Sequence, residues 1–463
     1  MTNNLDVIIL AAGLGTRMKS AKIKILHSAA GRPIIDYVLD VASEICERPP
    51  VLVVGHQRDA VRESVGDRAR YAVQEQQLGT GHAVMQAAEV LKDSNGANVL
   101  ILSGDVPLTR AETLRKLIEQ HANEKNALTL MTMKLDDPAM YGRIVRDTGG
   151  AVLRIVEAKD ASADEKKIDE VNAGIYVFNA NDLFTNLQNL STNNAQGEYY
   201  LTDLIAMLRN SGKRVGAMIV GDPMEAVGVN SRSDLAVVEA EIQRRVVAKL
   251  MADGVTFRNP NTVVIDSTVT IGADTVVYPY VTLEGLTKIG EGCVVEPSVH
   301  LVNVTVGDDV HLKTGTVAEE ATIEDEAIVG PYANLRPGTH LGKHVKVGNF
   351  VETKKAVFGE GAKASHLSYI GDAEIGADVN IGAGTITCNY DGVNKHKTTI
   401  EDGVFIGSDT QLVAPVRVGK GAYVGAGSTI TKDVPPDSLA LSRTPQRIIE
   451  GWAIKRRDEL KKK

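Results

Sequence analysis

The sequence predicts two fold classes in one chain, an α/β doubly wound domain followed by a parallel β-helix. Strand-like and helix-like segments alternate in the first half, and apolar residues recur every six positions in much of the second. At 463 residues the chain also exceeds the size at which a single core usually stops growing. We expect one domain at residues 1–230, a linker helix at 231–252, and a second domain with a C-terminal tail at 253–463.

The first half has buried-strand patterns at residues 7–10, 51–54 and 99–102, with helix-like segments between them. Such alternation predicts a parallel, doubly wound sheet, in which ligands bind beyond the carboxyl ends of the strands. A glycine-rich turn follows the first of these strands, and Ser103-Gly104-Asp105 follows the third. We therefore expect two motifs that are distant in sequence to share one crevice.

The second half has a period of six, with aliphatic residues six apart over residues 265–295 and 400–430. A helix would place apolar residues three and four apart, and a lone strand would place them two apart. A period of six is typical of a β-helix. Residues 384–397 interrupt the hexads. A loop that leaves a rigid repeat scaffold often carries function, and a tolerated insertion is the alternative.

Composition limits the function classes. The net charge of −8 argues against general binding to nucleic acid or to anionic membranes, although small anionic substrates remain possible. The three cysteines, Cys46, Cys293 and Cys388, lie far apart and predict unpaired thiols in a reducing compartment, without a zinc site. The N-terminus lacks a basic leader, and no apolar stretch reaches the ~18 residues that a membrane span needs. We expect a cytoplasmic protein without membrane insertion.

The glycine-rich turn has the composition of a phosphate-binding loop. Gly13 and Gly15 allow backbone N–H groups to approach a phosphate, and Arg17 and Lys24 can neutralise charge that builds on a triphosphate during attack. The turn lacks the third glycine of a dinucleotide fingerprint and the GK[ST] of a P-loop, and a tight connection without a ligand is the alternative. Asp105 at a strand end suits magnesium, although a helix N-cap would use the same residue type.

Both halves carry motifs of a known family. The first half resembles the sugar-nucleotide pyrophosphorylases through LAAGLGTRM at 10–18, QLGTGH at 77–82, YGR at 141–143, NAG at 172–174, EYY at 198–200 and GVN at 228–230. The second half resembles the hexapeptide acetyltransferases through NLRPG at 334–338, GNFVE at 348–352, GAGT at 382–385 and CNYDG at 388–392. Over nearly its whole length, the chain resembles the bifunctional N-acetylglucosamine-1-phosphate uridyltransferases and glucosamine-1-phosphate N-acetyltransferases.

The resemblance implies two reactions in sequence. Acetyl transfer from acetyl-CoA to glucosamine-1-phosphate in the C-terminal domain precedes uridylyl transfer from UTP in the N-terminal domain, with release of pyrophosphate. It implies a nucleotidyltransferase domain, a left-handed β-helix, a homotrimer with acetyl sites between subunits, and Mg²⁺ as cofactor. The product, UDP-N-acetylglucosamine, would supply cell-envelope polymers such as peptidoglycan and lipopolysaccharide in bacteria.

Carried over residue by residue, the resemblance assigns the first site. UTP and the product would be bound by Leu10, Ala11, Ala12, Gly13, Lys24, Gln74, Gly79, Thr80, Ser103, Gly104, Asp105, Gly142, Glu157, Asn172 and Asn230. In that set, Gly142, Glu157 and Asn172 would hold the sugar. Arg17 and Lys24 would stabilise the transition state, and Asp105 and Asn230 would hold Mg²⁺. Ile23 departs from the family, which usually has proline there; because proline fixes φ, its loss could loosen the loop, and compensating packing is the alternative that we favour.

The second site would use His366 as general base, because the attacking amine must lose a proton and the ordinary pKa of histidine lies near neutrality. Glu352 would orient His366, although a lone histidine in a repeat protein is more often structural. The sugar phosphate would be bound by Arg336, Lys354, Tyr369 and Asn380. Acetyl-CoA would be bound by Ala383, Asn389, Tyr390, Ser408, Ala426 and Arg443.

Two alternatives belong to other classes. The solenoid could be a non-catalytic trimerisation scaffold under a single-function uridyltransferase. The chain could also be a different sugar-nucleotide pyrophosphorylase whose hexads bind an effector. A scaffold would have no reason to keep together the polar cluster of Arg336, Lys354, His366, Asn389 and Tyr390.

Overall fold

The computed structural model describes residues 4–92 and 96–462. The chain divides into two compact units, residues 1–243 and 244–463. Helix Arg232–Ala252 covers the predicted linker, and the division between the units falls inside it. The predicted domain limits therefore stay a prediction. Across the described residues, we find no helix with the length and apolar character needed to cross a membrane.

The first unit is built from α-helices and strands. Its strands β1 to β11 are Leu5–Leu10, Ser28–Ala29, Arg32–Pro33, Val51–Val54, Arg70–Val73, Asn98–Ser103, Leu128–Lys134, Arg143–Arg146, Val152–Val156, Glu170–Asn179 and Val215–Ile219. Helices α1 to α7 are Ile34–Ile45, Arg58–Val65, Thr80–Leu91, Ala111–Glu124, Ala180–Leu187, Asp203–Asn210 and Arg232–Ala252. Short 3-10 turns lie at Thr16–Met18, Lys24–Leu26, Gly66–Arg68, Glu165–Lys167 and Pro223–Ala226. The three predicted strands are thus confirmed as β1, β4 and β6.

The central sheet has the strand order β11-β7-β10-β6-β1-β4-β5, with β8 and β9 joined to it through β10. Strand β1 lies parallel to β4 and β6, as predicted, whereas β10 lies antiparallel to β6 and β7. The sheet is therefore mixed, which corrects the expectation of a wholly parallel one. Parallel neighbours need a long crossover connection, usually a helix. The chain between β7 and β10 instead forms the β8–β9 hairpin, and β10 runs antiparallel to β7.

The core of the first unit explains why these segments fold as they do. Apolar runs such as the one in β1 are buried on both faces of the sheet, as expected where helices cover it. Ile8, Val53 and Ile101 belong to one buried cluster that includes apolar residues of α3, α5 and α6. The helices bury one apolar face each, and their polar faces remain exposed.

The second unit is a β-helix of short parallel strands. In chain order, strands β12 to β39 are Thr256–Phe257, Val264–Ile265, Thr270–Ile271, Val276–Val277, Thr282–Glu284, Lys288–Ile289, Val294–Val295, His300–Val302, Thr305–Val306, His311–Leu312, Val317–Glu319, Thr322–Ile323, Ile328–Val329, Asn334–Leu335, His340–Leu341, Lys346–Asn349, Glu352–Phe358, Lys363–His366, Tyr369–Ile375, Asn380–Ile381, Ile386–Cys388, Thr398–Ile400, Phe405–Ile406, Gln411–Val413, Val416–Val418, Tyr423–Val424, Thr429–Ile430 and Leu439–Ala440. A 3-10 turn at Pro260–Thr262 lies between β12 and β13, and helix α8 follows the last strand at Trp452–Lys461. The aliphatic residues of both predicted hexad runs belong to one buried cluster.

Coil length explains where the hexads are strict. Val264 pairs with Thr282, so that coil takes three full hexads. Several coils in the middle of the β-helix fall one position short of three hexads, as where His311 pairs with Ile328 and Lys346 with Lys363, and each of them shifts the period by one residue. The predicted interruption is an outward loop, because Glu374 pairs with Thr399 and the coil between them exceeds four hexads.

Candidate active sites

A crevice of about 310 Å³ lies at the carboxyl edge of the central sheet, where Leu10 of β1 pairs with Ser103 of β6. The predicted residues that line it are Leu10, Ala11, Ala12, Gly13, Lys24, Gln74, Gly79, Thr80, Ser103 and Asp105. Ile25, Gln77, Ala83 and Glu198 also line it and were not among the predicted site residues. The two strand-end motifs therefore converge, as the sequence predicts.

Lys24 lies at the start of a 3-10 turn and points into the crevice. Its ammonium forms an ion pair with the carboxylate of Asp105 and donates to Asn230 Oδ1 at 3.1 Å. Gly15 has a φ of +61°, and an added Cβ there would lie 2.8 Å from Lys24 Cβ, so glycine is required for this approach. Arg17 lies exposed in the adjacent turn, Thr16–Met18.

Gln74 forms the opposite wall and is 4% exposed. Its Nε2 donates to the carbonyl oxygen of Gly79 at 3.0 Å and lies 3.1 Å from His82 Nδ1. Gly79 needs its φ of +106°, and an added Cβ would lie 2.6 Å from the carbonyl oxygen of Tyr199. Of the residues missed by the sequence analysis, Gln77 donates to the carbonyl oxygen of Ala12 in the glycine-rich turn.

The predicted sugar residues are joined by backbone and side-chain contacts. The Asn172 N–H donates to the carbonyl oxygen of Gly142 at 2.9 Å, and Thr202 Oγ1 donates to Glu157 Oε1 at 3.2 Å. An added Cβ on Gly142 would lie 3.4 Å from Glu157, so Gly142 lies beside that carboxylate. Burial is the main cause that raises the pKa of Glu157, against the hydrogen bond from Thr202.

Four of the predicted acetyl-transfer residues, His366, Ala383, Ser408 and Ala426, form a column along one corner of the β-helix. Asn349 pairs with His366. In the next coil Ala364 pairs with Ile381, and two residues further along both strands His366 therefore lies over Ala383. With the same offset in later coils, the column continues through Ser408 and Ala426. Arg443 Nη1 donates to the carbonyl oxygen of Ala426 at 2.7 Å and so joins the end of the column.

His366 is exposed, and its Nδ1 lies 2.7 Å from Asn349 Oδ1. An added Cβ on Gly348 would clash with the carbonyl oxygen of Ser365, so glycine is what lets these coils stack closely. Glu352 is the residue that the resemblance assigns to orient His366. In the described residues the contact comes from Asn349, and Glu352 forms an ion pair with Arg336 at 2.7 Å. The cause is register, which sets Glu352 beside Tyr369.

Positive charge collects beside this column. Lys395, Arg336 and Lys355 lie close enough to Lys354 to lower its pKa, with Lys395 the largest cause. Lys395 was not among the predicted site residues, although it belongs to the interrupting segment. It is brought in by the extended coil, whose loop closes through a bridge between Tyr390 and Lys395.

The remaining predicted residues of the acetyl-transfer site lie in the loop and in two neighbouring strands. Asn389 is 6% exposed and donates from Nδ2 to Asp372 Oδ2 at 2.5 Å, whereas Tyr390 is 60% exposed. An added Cβ on Gly371 would clash with the Tyr369 hydroxyl, which therefore lies across that glycine. Asn380 belongs to a different strand, between Lys363 and Phe405. Thus the structure groups Tyr369 with Asn389 and leaves Asn380 on another face.

Comparisons with known proteins find matches for both halves of the chain. The family described as nucleotidyl transferase matches residues 6–223, and bacterial transferase hexapeptide (six repeats) matches residues 397–432. The chain is 52% identical to "Bifunctional protein GlmU" of Pelobacter propionicus, over 98% of each chain. It is 49% identical to the protein of the same name from Geobacter sulfurreducens, over 99% of this chain and 100% of that relative. The chain belongs to the GlmU family. With the Koribacter versatilis member it shares 46% identity over 100% of both chains.

Membership confirms the predicted fold class, a nucleotidyltransferase domain followed by a hexapeptide-repeat domain. The protein is a bifunctional enzyme that makes UDP-N-acetylglucosamine in two steps, acetyl transfer to glucosamine-1-phosphate and then uridylyl transfer from UTP. The single-function alternative is not supported, because the relatives are named bifunctional.

Proposed function

We propose that the crevice at the carboxyl edge of the sheet is the uridylyl-transfer site. The convergence of Lys24, Asp105 and Asn230 on one point supports this assignment most strongly. An oxygen of the sugar phosphate would attack the α-phosphorus of UTP as pyrophosphate leaves, so no protein nucleophile is needed. Lys24 and Arg17 would neutralise charge on the phosphates, while Gln74 and Gly79 hold the uracil and Glu157 and Asn172 the sugar.

The oxygen donors at this point also fit Mg²⁺. Asp105 and Asn230 direct two oxygens at the Lys24 ammonium, a cation that here lies between them. Within the described chain, groups of three or more His, Cys, Asp or Glu suited to a metal are absent. The two oxygens of Asp105 and Asn230 suit Mg²⁺, which is usually held by one or two protein oxygens, water and substrate phosphates. When bound, the ion would neutralise phosphate charge.

For the corner column of the β-helix we propose acetyl transfer. With Asn349 Oδ1 as acceptor, His366 Nδ1 would carry the proton of the neutral ring and Nε2 would keep a free lone pair. Nε2 would take the proton from the amine of glucosamine-1-phosphate as nitrogen bonds to the thioester carbon. The C–S bond then breaks, and the proton passes to the leaving thiolate. The small side chains of Ala383, Ser408 and Ala426 leave room for the pantetheine arm to lie along the column, with Arg443 near the phosphates of coenzyme A.

Arg336, Lys354 and Lys395 would hold the sugar phosphate. The further contacts that the resemblance implies are Tyr369, on the face of Glu352, and Asn380, on the neighbouring face. The mutual repulsion of the three cations, seen in the lowered pKa of Lys354, would be relieved by a bound phosphate dianion. The observation that supports this second assignment most strongly is the column itself, in which His366 is aligned with Ala383, Ser408 and Ala426.

We also infer a homotrimer in the cytoplasm. Beside His366, a second corner column of Tyr332, Phe350 and Leu367 exposes 55%, 59% and 60% of those residues, each with positive φ. Exposed apolar side chains in this strained conformation favour burial against another chain. Equilibrium sedimentation should give three times the chain mass; a monomer mass at assay concentration would contradict the trimer.

The free thiols of Cys46, Cys293 and Cys388 are consistent with a reducing compartment such as the cytoplasm.

One experiment tests both sites. Purified protein is supplied with glucosamine-1-phosphate, acetyl-CoA, UTP and Mg²⁺, and free thiol and pyrophosphate are followed together. His366→Ala should abolish thiol release but leave pyrophosphate formation from N-acetylglucosamine-1-phosphate intact. Asp105→Ala should do the reverse, so each variant is the control for the other. Equal loss of both products in either variant would contradict the separation of sites, and wild-type protein that never releases thiol would support the scaffold alternative.

A further inference from the structure

Strand β10 is irregular beside the sugar end of the crevice. Asn172 pairs with Thr132 of β7, and Tyr176 pairs with Leu130, so four residues of β10 advance against two of β7. Gly174, inside the irregularity, has a φ of +73°, which glycine adopts without steric cost. A bulge of this kind bends a strand and changes where its side chains point, and bulges are common next to active sites.

The bulge brings together two side chains that a regular strand would keep apart. Residues four positions apart in a regular strand lie about 13 Å from each other. Here Asn172 Nδ2 donates to the hydroxyl oxygen of Tyr176 at 2.6 Å. At the other end of the same amide, Asn172 Oδ1 accepts from the Gly174 N–H at 3.0 Å. The amide is therefore held in one orientation and keeps one N–H and one oxygen lone pair for a ligand.

Tyr176 is well placed to hold this orientation. It is 5% exposed, and its ring lies 6.0 Å from that of Phe178. Burial raises the pKa of its hydroxyl, and the charge of Glu157 raises that pKa further, so Tyr176 lies close to Glu157 as well as to Asn172. The carbonyl oxygen of Gly174 accepts from Ser103 Oγ at 3.3 Å, which fixes the bulge to the crevice wall.

We propose that Tyr176 is a positioning residue for sugar recognition, holding the Asn172 amide so that it presents one donor and one acceptor to the sugar phosphate. The inference rests on the proposed role of Asn172 in the first site. Tyr176 acts through Asn172 and does not touch the substrate. The sequence N-x-G-x-Y at residues 172–176 is therefore a device for orienting an amide, in which the bulge supplies proximity and the hydroxyl supplies direction.

Tyr176→Phe tests this by removing one oxygen atom. The KM for N-acetylglucosamine-1-phosphate should rise about 3- to 10-fold, as for the loss of one hydrogen bond. The KM for UTP and thiol release by the other domain should stay unchanged. Tyr71→Phe is the matched control, because it removes a tyrosine hydroxyl whose hydrogen bond, 2.6 Å to the Gly66 carbonyl oxygen, involves no crevice residue. A similar rise of both substrate KM values would indicate a merely structural role and overturn the proposal.

A double-mutant cycle separates this inference from the function it rests on. Asn172→Ala should raise the KM for the sugar phosphate, and adding Tyr176→Phe to that variant should change the KM little further. Unchanged KM in Asn172→Ala would contradict the proposed sugar site itself. Raised KM in Asn172→Ala with unchanged KM in Tyr176→Phe would leave the site standing and overturn the positioning role. Fully additive effects would show that Tyr176 acts independently of Asn172, which also overturns it.

Discussion

Ile23 offers a sharp test of how the crevice positions Lys24. The residue has φ of −58° and ψ of 141°, and proline fixes φ near the same value. Its carbonyl oxygen accepts from the Leu26 N–H at 3.1 Å, which a proline carbonyl can also do. The backbone of this chain therefore already follows the path that proline would impose, and we expect Ile23→Pro to leave Lys24 where it is.

The size of the effect follows from burial and chain entropy. Ile23 is 8% exposed, and proline has about one buried methylene fewer, which costs roughly 0.8 kcal/mol. A proline at a compatible position restores about 0.4–1 kcal/mol by restricting the unfolded chain. The two terms nearly cancel. We expect the free energy of unfolding to change by less than about 1 kcal/mol and turnover to stay within a few-fold.

The assay is pyrophosphate release with UTP and sugar phosphate varied in turn, together with thermal unfolding of the same samples. Ile23→Ala is the control, because it removes the buried side chain without fixing φ and should cost about 2–5 kcal/mol. A tenfold or larger gain in turnover with Ile23→Pro would show that the missing proline limits the aim of Lys24. A fall in Tm as large as that of Ile23→Ala would show that the ring does not fit.

Two further predictions concern substrate binding. Ser408→Phe should raise the KM for acetyl-CoA at least about tenfold, because a bulky ring would obstruct the corner column. Ser408→Ala is the control and should behave as wild type. Equal KM values for Ser408→Phe and wild type would show that the column is not part of the acetyl-CoA site. Burial raises the pKa of Glu157, so its carboxylate, which would accept from the sugar, protonates at a higher pH than an ordinary glutamate. The KM for N-acetylglucosamine-1-phosphate should therefore rise as pH falls, beginning above the ordinary value of about 4.3, and Glu157→Gln should flatten this profile. A profile that persists in Glu157→Gln would assign the titration to another group.

Short sequence patterns, the hexads and the buried-strand runs, correctly predicted the β-helix and the strands β1, β4 and β6. The hexads identified the β-helix because each coil buries an aliphatic residue at equivalent positions, so the period is written in short stretches of sequence. The strand ends after β1 and β6 predicted a shared crevice because parallel strands direct their carboxyl ends to one edge. The antiparallel β10 was missed because its direction depends on the connection before it, the β8–β9 hairpin, which leaves no periodic signal.

For the two candidate sites, too, the sequence named individual residues and the structure supplied the contacts between them. Motif resemblance named His366 and Asn172, but it did not supply their partners. Asn349 contacts His366 because their coil falls one position short of three hexads, and Tyr176 contacts Asn172 because a bulge removes the normal spacing along β10. Lys395 joins the positive cluster only because its coil is extended by the outward loop.

The sequence by itself determined the two fold classes and the crevice edge and supplied the candidate site residues, because periodicity, strand ends and motifs are properties of neighbouring residues. Only the tertiary structure decided which of those side chains touch. Contacts across coils and across a bulge depend on register, which joins residues that are far apart in sequence or at an irregular spacing along one strand. The placement of Asn349 rather than Glu352 against His366 is the clearest case.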